Sequence, residues 1–385
     1  MRGHIQKRGK DSYTIVLDLG TNPQTGKRKQ KWISVKGTKK DAEKRLSELI
    51  HQIDTGNFVH PSKTSLAQYL HKWLADYAKP NLSPRGYERY ESIVRVHLVP
   101  GLGSIALTQL RPDHVQQYYT SKLNDGLSTN SVRYHHVVLH VALQTAVKWG
   151  IVGRNVADAA NPPRAHRTEM KIWDENEISR FLEAAKSTHY HVLFYLALFT
   201  GMRRSELLAL RWHDVDLILG QVSISRGLHN LADGSYIFTQ PKSAKSRRTI
   251  ALSPSTILLL RKHQENQKLE RTLMGIPLTD NDLIFSSIDG KPFRPNTVSR
   301  AWTGIAVHAG LKPIRFHDAR HSHASLMLKQ GIHPKVVQER LGHSSIAVTL
   351  DTYSHVAPGL QELAAKRFDE AFNTKYNEQA KENVR

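Results

Sequence analysis

The apolar pattern of this chain changes character twice, and each change falls at a polar break that carries proline. That arrangement argues against one continuous core and for separate folding units. Near the N-terminus, Tyr13, Ile15, Leu17 and Leu19 alternate with Thr14, Val16 and Asp18, which is strand period. Asn22-Pro23 and Thr25-Gly26 mark a turn, and Lys31 to Val35 reads as a second strand. Ala42, Leu46, Leu49, Ile50 and Ile53 then fall at helical spacing. After the break His60-Pro61-Ser62-Lys63 the pattern is purely helical. Leu66, Tyr69, Leu70, Trp73, Leu74 and Tyr77 form one stripe, and Tyr87, Tyr90, Ile93, Val94 and Leu98 another. Ser83-Pro84 is an N-cap with proline in the first turn. A third helix follows Pro112 with Val115, Tyr118, Tyr119 and Leu123, and Ser128 caps a fourth that runs to Trp149. Residues 159–168 hold Pro162, Pro163, Arg164, His166 and Arg167 and little apolar pattern. Beyond them helices mix with strand candidates at 221–225, 236–239 and 248–252, and the chain ends in a polar tail. The expected fold class is therefore multidomain, mainly α with small β-sheets. An α+β module spans 1–60, a helical bundle 64–158, and a mixed α+β domain 170–385.

Charge narrows the partner. Lys and Arg number 55 against 34 acidic residues, a formal net charge of +21, which suits a polyanion, nucleic acid above all. Up to Lys63 there are fourteen Lys and Arg against six Asp and Glu. Lys27, Arg28, Lys29 and Lys31 stand beside the expected turn, where they could reach phosphates, although a solvated basic hairpin would look the same. The longest apolar run, Val192 to Phe199, is far too short for a bilayer span, and the first residues lack a signal-peptide pattern. A cytoplasmic protein is the simplest expectation. With no cysteine, disulfides, thiolate zinc sites and a Cys nucleophile are excluded. His135, His136 and His140 have metal-ligand spacing, as do His317, His321 and His323. The first set has no acidic or thiol companion, and Arg320 would repel a cation from the second.

The residues with chemical potential lie in the last third of the chain. Thr200-Gly201-Met202-Arg203-Arg204-Ser205-Glu206 puts a helix-breaking glycine just before a new helix, with Arg203 and Glu206 one turn apart. Pro241-Lys242-Ser243-Ala244-Lys245-Ser246-Arg247-Arg248 is a basic turn between two strand candidates. His317-Asp318-Ala319-Arg320 places a histidine and an arginine on one helix face. Leu341-Gly342-His343-Ser344 and Thr352-Tyr353 follow. Each piece alone is weak, since a lone tyrosine or arginine usually packs or pairs. All five in this order carry far more.

The order TG-M-R-x-x-E, PK, H-x-x-R, LGHS and TY resembles the tyrosine recombinase (phage integrase) family. The layout resembles it over the whole chain, and the motifs are specific over about residues 195–356. The resemblance implies an arm-type DNA-binding module, a core-type DNA-binding bundle and a catalytic domain. It implies Tyr353 as nucleophile, Arg203 and Arg320 as the pair holding the scissile phosphate, His317 as the first histidine of that triad, and His343 at the histidine-or-tryptophan position. Glu206 takes the acidic position, as a supporting residue. Lys242 matches the lysine of the strand turn, with Lys245 close enough to compete. It implies integration and excision of a mobile element such as a temperate phage or an integrative conjugative element. The reaction would pass through a 3′-phosphotyrosine on double-stranded DNA with arm-type and core-type sites. A homotetramer on DNA, an excisionase or DNA-bending protein as accessory factor, and action at the nucleoid of a bacterial host go with it. The segment Leu360, Leu363, Ala364, Arg367, Phe368, Phe372 would be a helix that packs on its own domain or docks on a neighbour.

These residue types suit the chemistry on their own terms. In-line attack on a phosphodiester builds charge on the non-bridging oxygens, and two guanidiniums can hold them while staying charged. Such preorganised donors contribute roughly 3–4 kcal/mol each in comparable oxyanion sites. A phenol with a reference pKa of about 10 needs a base or a strongly positive site, and His317 is the leading candidate base. A lysine on a turn could protonate the leaving 5′ oxygen, and His343 could donate to the phosphate. The arginines supply the positive charge and the phosphotyrosine stores the bond, so neither metal nor nucleotide cofactor is expected. Two other readings share the sequence: a type IB-like topoisomerase or nicking enzyme, and a non-catalytic regulator on the same fold.

Overall fold

The computed structural model describes residues 3–21, 26, 28–54, 64–165, 170–240 and 247–353, and a few beyond them: 365, 366, 368–370 and 372. Lys27, Lys242 and Lys245 lie outside the described residues. So do Asn22, Pro23 and Thr25 of the expected turn, the break at 60–63, and Leu360, Leu363, Ala364 and Arg367. The chain divides into two compact units, residues 1–167 and 168–385.

The first unit begins with an antiparallel sheet of β1 (Gly3–Gly9), β2 (Ser12–Thr21) and β3 (Arg28–Lys36), in that order. In β2 the residues Thr14 to Leu17 are all buried, as befits a central strand, so the alternation read from sequence does not separate a wet face from a dry one. Helix α1 (Lys39–Asp54) covers the face carrying Ile15 and Leu17, which form a small core with Leu49. Its start is fixed by Thr38 and Asp41: the Thr38 N–H donates to Asp41 Oδ2 at 2.9 Å, and the Asp41 N–H donates to Thr38 Oγ1 at 3.3 Å. Strand β1 was not expected from the sequence, because His4, Gln6, Lys7 and Arg8 leave Ile5 as its one aliphatic residue with a side chain to pack. Its register, Ile5 opposite Ile15, is what secures it. Arg28, Lys29 and Lys31 stand on β3, and burial lowers the Lys31 ammonium pKa from its ordinary value.

The same unit contains the helical bundle. Helix α2 (Leu66–Trp73) runs through a π-helical stretch, Leu74–Ala78, into Lys79–Asn81. Helix α3 (Pro84–Ile93) runs through a second π stretch, Val94–Leu98, into Val99–Leu102. Each π stretch ends two residues before a proline, Pro80 and Pro100. A proline inside a helix has no N–H to donate, and the wider turn relieves the clash with the preceding carbonyl. Helices α4 (Pro112–Asn124) and α5 (Thr129–Lys148) complete the bundle around Trp73, Tyr119, Val138 and Leu139. Ser83 and Ser128 cap their helices, accepting from the Gly86 and Ser131 N–H groups. The three histidines with metal spacing bond elsewhere. Tyr118 Oη meets His135 Nδ1 at 2.9 Å, Tyr119 Oη meets His136 Nδ1 at 2.6 Å, and His140 Nε2 meets Asp158 at 2.7 Å, an acidic companion that the sequence reading missed because it lies 18 residues away.

The second unit is built on an aromatic core of Trp173, Phe181, Phe194, Trp302 and Phe316. Helices α6 (Glu175–Ala185), α7 (His191–Thr200), α8 (Arg204–Leu207), α9 (Pro254–Leu273) and α10 (Pro295–His308) surround it. The Val192–Phe199 run lies within α7 and packs its Leu193, Phe194, Leu196, Ala197 and Leu198 into the core, while Phe199 is exposed. Two small antiparallel sheets flank the helices. One is β4 (Val215–Asp216), β5 (Gln221–Ile224) and β8 (Arg248–Ala251), in that order. The other pairs β6 (Gly227–Asn230) with β7 (Tyr236–Thr239). Helices α11 (Asp318–Lys329), α12 (Pro334–Leu341) and α13 (Ile346–Tyr353) form a second, smaller core around Ala324, Leu328, Val337, Leu341 and Tyr353. Phe368 and Phe372 lie with ring centroids 4.8 Å apart and are exposed. Among the described residues, no helix is long and apolar enough to cross a membrane.

Candidate active site

The site is assembled where two helices stop. Helix α7 ends at Gly201, whose φ of +65° closes the turn, and α12 ends at Gly342, with φ +67°. Helix C-termini leave carbonyls without partners and with partial negative charge. Arg320, on α11, supplies the donors: Nη1 donates to Gly201 O at 2.9 Å and Nη2 to Leu341 O at 2.6 Å. Its side chain is thus pinned between two helix ends and buried. Burial, together with the charge of Arg203, pulls the guanidinium down to about 9, so it stays charged at neutral pH.

Arg203 is the N-cap residue of α8. Glu206, one turn on, accepts from the Arg203 N–H at 2.9 Å and from its Nη1 at 2.7 Å. The other side of the carboxylate is held by Arg248 on β8: Nη2 to Oε2 at 2.9 Å and Nη1 to Oε1 at 3.2 Å. Burial alone would raise the Glu206 carboxyl. The hydrogen bond from Arg248 and the charges of Arg248 and Arg203 outweigh it and hold the carboxyl below the usual range. Arg203 keeps about a third of its side chain exposed, against 6% for Arg248, so Arg203 is the guanidinium that an arriving anion can meet.

The histidines and the tyrosine close the site. His317 is the N-cap residue of α11 and keeps an exposed edge. Desolvation by the surrounding protein, with His321 and Arg320 nearby, lowers its imidazole from the ordinary value. His343, just past the end of α12, bonds through Nδ1 to Thr349 Oγ1 at 2.9 Å, and burial with Arg320, Arg203 and Arg248 draws it down to about 4. Its ring lies nearly parallel to Tyr353, with centroids 6.3 Å apart. Tyr353 is fully buried, and its Oη lies 2.9 Å from His321 Nδ1. Burial pushes the phenol up to about 12, while the charges of Arg320 and Arg203 act in the opposite direction.

Arg203, Glu206, His317, Arg320, His343 and Tyr353 therefore converge in one unit. Three further residues of this cluster were not assigned to it from the sequence. His321, the direct partner of the phenol, sits inside H-D-A-R-H-S-H, where three histidines compete for notice. Arg248 was read only as part of a basic turn. Arg340 ties the site to its surroundings, donating to Phe199 O at 2.9 Å, Ala251 O at 3.0 Å and His323 Nε2 at 3.1 Å. Only register and helix ends reveal such partners, and motif spacing does not carry them.

With the geometry in place, comparison with known proteins is informative. Residues 171–359 match the model described as the phage integrase family. Residues 65–123 match a phage integrase N-terminal SAM-like domain, and residues 4–53 an arm DNA-binding domain. An integrase of Streptomyces ambofaciens is 30% identical over 363 residues, 91% of each chain. The ICEBs1 integrase of Bacillus subtilis is 27% identical over 368 residues, covering 95% of this chain and 99% of the relative. Among solved structures, the Tn1549 transposon integrase in complex with a circular intermediate DNA shares the fold, with a TM-score of 0.68 at 18% identity. The match covers 79% of this chain and 99% of that one.

Proposed function

The chain belongs to the phage integrase family, and from that premise we propose that it is a tyrosine-type site-specific recombinase that integrates and excises a mobile element. The observation that carries the mechanism is that Arg320 and Arg203 are anchored at the same pair of helix ends, Arg320 on Gly201 O and Leu341 O and Arg203 on Gly342 O, while of the two only Arg203 opens to solvent. A DNA phosphate entering beside Arg203 meets two fixed positive charges in the cluster that also holds the phenol. The guanidiniums hold the non-bridging oxygens, and they gain most when negative charge accumulates there in the transition state. His343 and His317 donate to the same oxygens. Tyr353 Oη attacks phosphorus, the P–O5′ bond breaks, and a 3′-phosphotyrosine keeps the bond energy for rejoining. Lys242, or Lys245 in its place, protonates the departing 5′ oxygen. Glu206 shapes the site by fixing Arg203 and Arg248, and needs no contact with DNA.

The first 60 residues serve as the arm-type DNA-binding module, with Lys27, Arg28, Lys29 and Lys31 toward phosphates. Residues 64–158 are the core-type DNA-binding bundle, and residues 170–385 the catalytic domain. Exchange between two duplexes involves four DNA arms, so four copies of the chain assemble on DNA, with an excisionase or a DNA-bending protein setting direction. The place of action is the DNA of a bacterial host, at the nucleoid in the cytoplasm. A nicked suicide duplex carrying the core site tests the assignment. Wild type becomes covalently joined to the 3′ phosphate, and Tyr353→Phe does not. Covalent trapping by the Phe variant overturns the nucleophile, and a mobility shift with no covalent species in wild type would leave only a DNA-binding regulator. A two-site plasmid then separates strand exchange from simple relaxation by a topoisomerase.

A further inference from the structure

Among the described residues, the hydrogen-bonding neighbour of the Tyr353 phenol is not the histidine that the motif pattern favours as base. His321 Nδ1 lies 2.9 Å from Tyr353 Oη, with ring centroids 5.6 Å apart. His317 stands behind it, its ring perpendicular to that of His321 at 5.2 Å. We propose that His321 is a catalytic residue, taking the Tyr353 proton as the phenol attacks the phosphate and giving it back when the strand is rejoined. The proposal rests on the recombinase reading above and names the base within it.

The direction of the hydrogen bond follows from the charge states. The phenol is held neutral by burial. Burial also keeps His321 neutral at pH 7, with Asp318 opposing and Arg320 and Arg315 reinforcing that effect. A neutral phenol beside a neutral imidazole donates its O–H to the ring nitrogen that lacks a proton, so Nδ1 accepts and Nε2 carries the hydrogen. The step then balances. The Oη–H bond breaks as Nδ1–H forms, Oη–P forms as P–O5′ breaks, and the leaving oxygen takes its proton from the turn lysine. Rejoining reverses each of these, with the imidazolium returning its proton to the departing phenol oxygen. Position supports the role as well. His321 follows Arg320 directly on α11, so the helix that pins the guanidinium to the ends of α7 and α12 also fixes the imidazole. Among the described residues, the charged and titratable groups around His321 are Asp318, Arg315, Arg320 and His317 from its own segment, and Tyr353 and His343 from elsewhere.

The test uses the full chain on the nicked suicide duplex and on the same duplex with sulfur replacing the bridging 5′ oxygen. A thiolate leaves without needing a proton, so the sulfur substrate rescues loss of the acid and not loss of the base. His321→Asn keeps an acceptor close to the position of Nδ1 but cannot take a proton. Its covalent product should form about 100-fold or more slowly on both substrates, in line with the usual contribution of a general base. The wild-type rate should climb as the imidazole loses its proton and level off above a pKa lying below the ordinary 6.5. The Asn variant should lose that limb. An unchanged mobility shift on the duplex shows that the variant still folds and binds, and His321→Gln takes its place where the Asn chain does not. Cleavage by the variant at the wild-type rate or faster would mean that the histidine only fastens a resting phenol. Rescue by sulfur would make it a donor to the leaving group. Either result overturns the proposal. Absence of a covalent species in wild type is a separate outcome, because that removes the recombinase reading itself.

Discussion

Glu206 shows how one side chain can be indispensable without touching the substrate. Its carboxylate is 8% exposed and bridges Arg203 to Arg248, itself 6% exposed. Removing one partner of a buried pair leaves an uncompensated charge, which costs about 3–5 kcal/mol. Glu206→Gln, or Arg248→Met, should lower the stability of the second unit by that order in a denaturant melt of the full chain at pH 7. Glu206→Gln should also slow cleavage, because Arg203 loses the support on its inner side. The pH dependence has a definite sign. The folded carboxyl is held below its ordinary value, so its contribution is complete above the unfolded pKa and disappears as pH falls through the folded one. Wild type should therefore lose stability on acidification through the carboxylate range, and the Gln variant should lose less. An equal acid response in both would show that the pair contributes nothing to folding.

Two helix ends explain why glycines flank the site motifs. A Cβ at Gly201 would lie 2.7 Å from His323 Cδ2 and 2.7 Å from Leu341 Cδ2, and the φ of +65° disfavours any side chain as well. Gly201→Ala should cost about 1–2 kcal/mol for the backbone and about 1–3 kcal/mol more for overpacking. It should also reduce cleavage by shifting the carbonyl that holds Arg320. Thermal unfolding and suicide-substrate rates check both, and a fully active, fully stable Ala variant would refute this account. The same elements show what the sequence made legible. The TG-M-R-x-x-E and LGHS runs were readable because a helix stop must be written locally, in glycine. The caps Ser83 and Ser128 were readable for the same reason. Strand β1 was not, because its place comes from pairing with β2 rather than from its own polar residues. Nor were the π stretches before Pro80 and Pro100, because the wider turn that carries each helix past its proline has no residue pattern of its own. The partnership of His321 with Tyr353 spans 32 residues and depends on how α11 and α13 meet, which no spacing rule encodes.

The whole chain carries a net charge of +21, while the chemistry uses a single phosphate. That leaves an excess of positive charge free to hold DNA rather than cut it, and the two roles should separate under salt. Each phosphate contact releases counterions, so observed affinity falls with log salt at a slope of roughly −0.9 per contact, whereas a step between groups already in place is little affected. Raising salt should weaken duplex binding steeply and leave the rate of covalent capture at saturating protein nearly constant. Deleting residues 1–60 removes a segment with fourteen Lys and Arg and six acidic residues up to Lys63, less Lys63 itself. If that segment reads arm sites, the truncated chain keeps the core-site cleavage rate, loses affinity for arm-site duplexes, and shows a shallower salt slope on DNA that carries both. A truncated chain that binds core and arm duplexes as tightly as the full chain would refute the division of labour. Loss of core cleavage would show instead that the sheet and α1 support the catalytic unit itself.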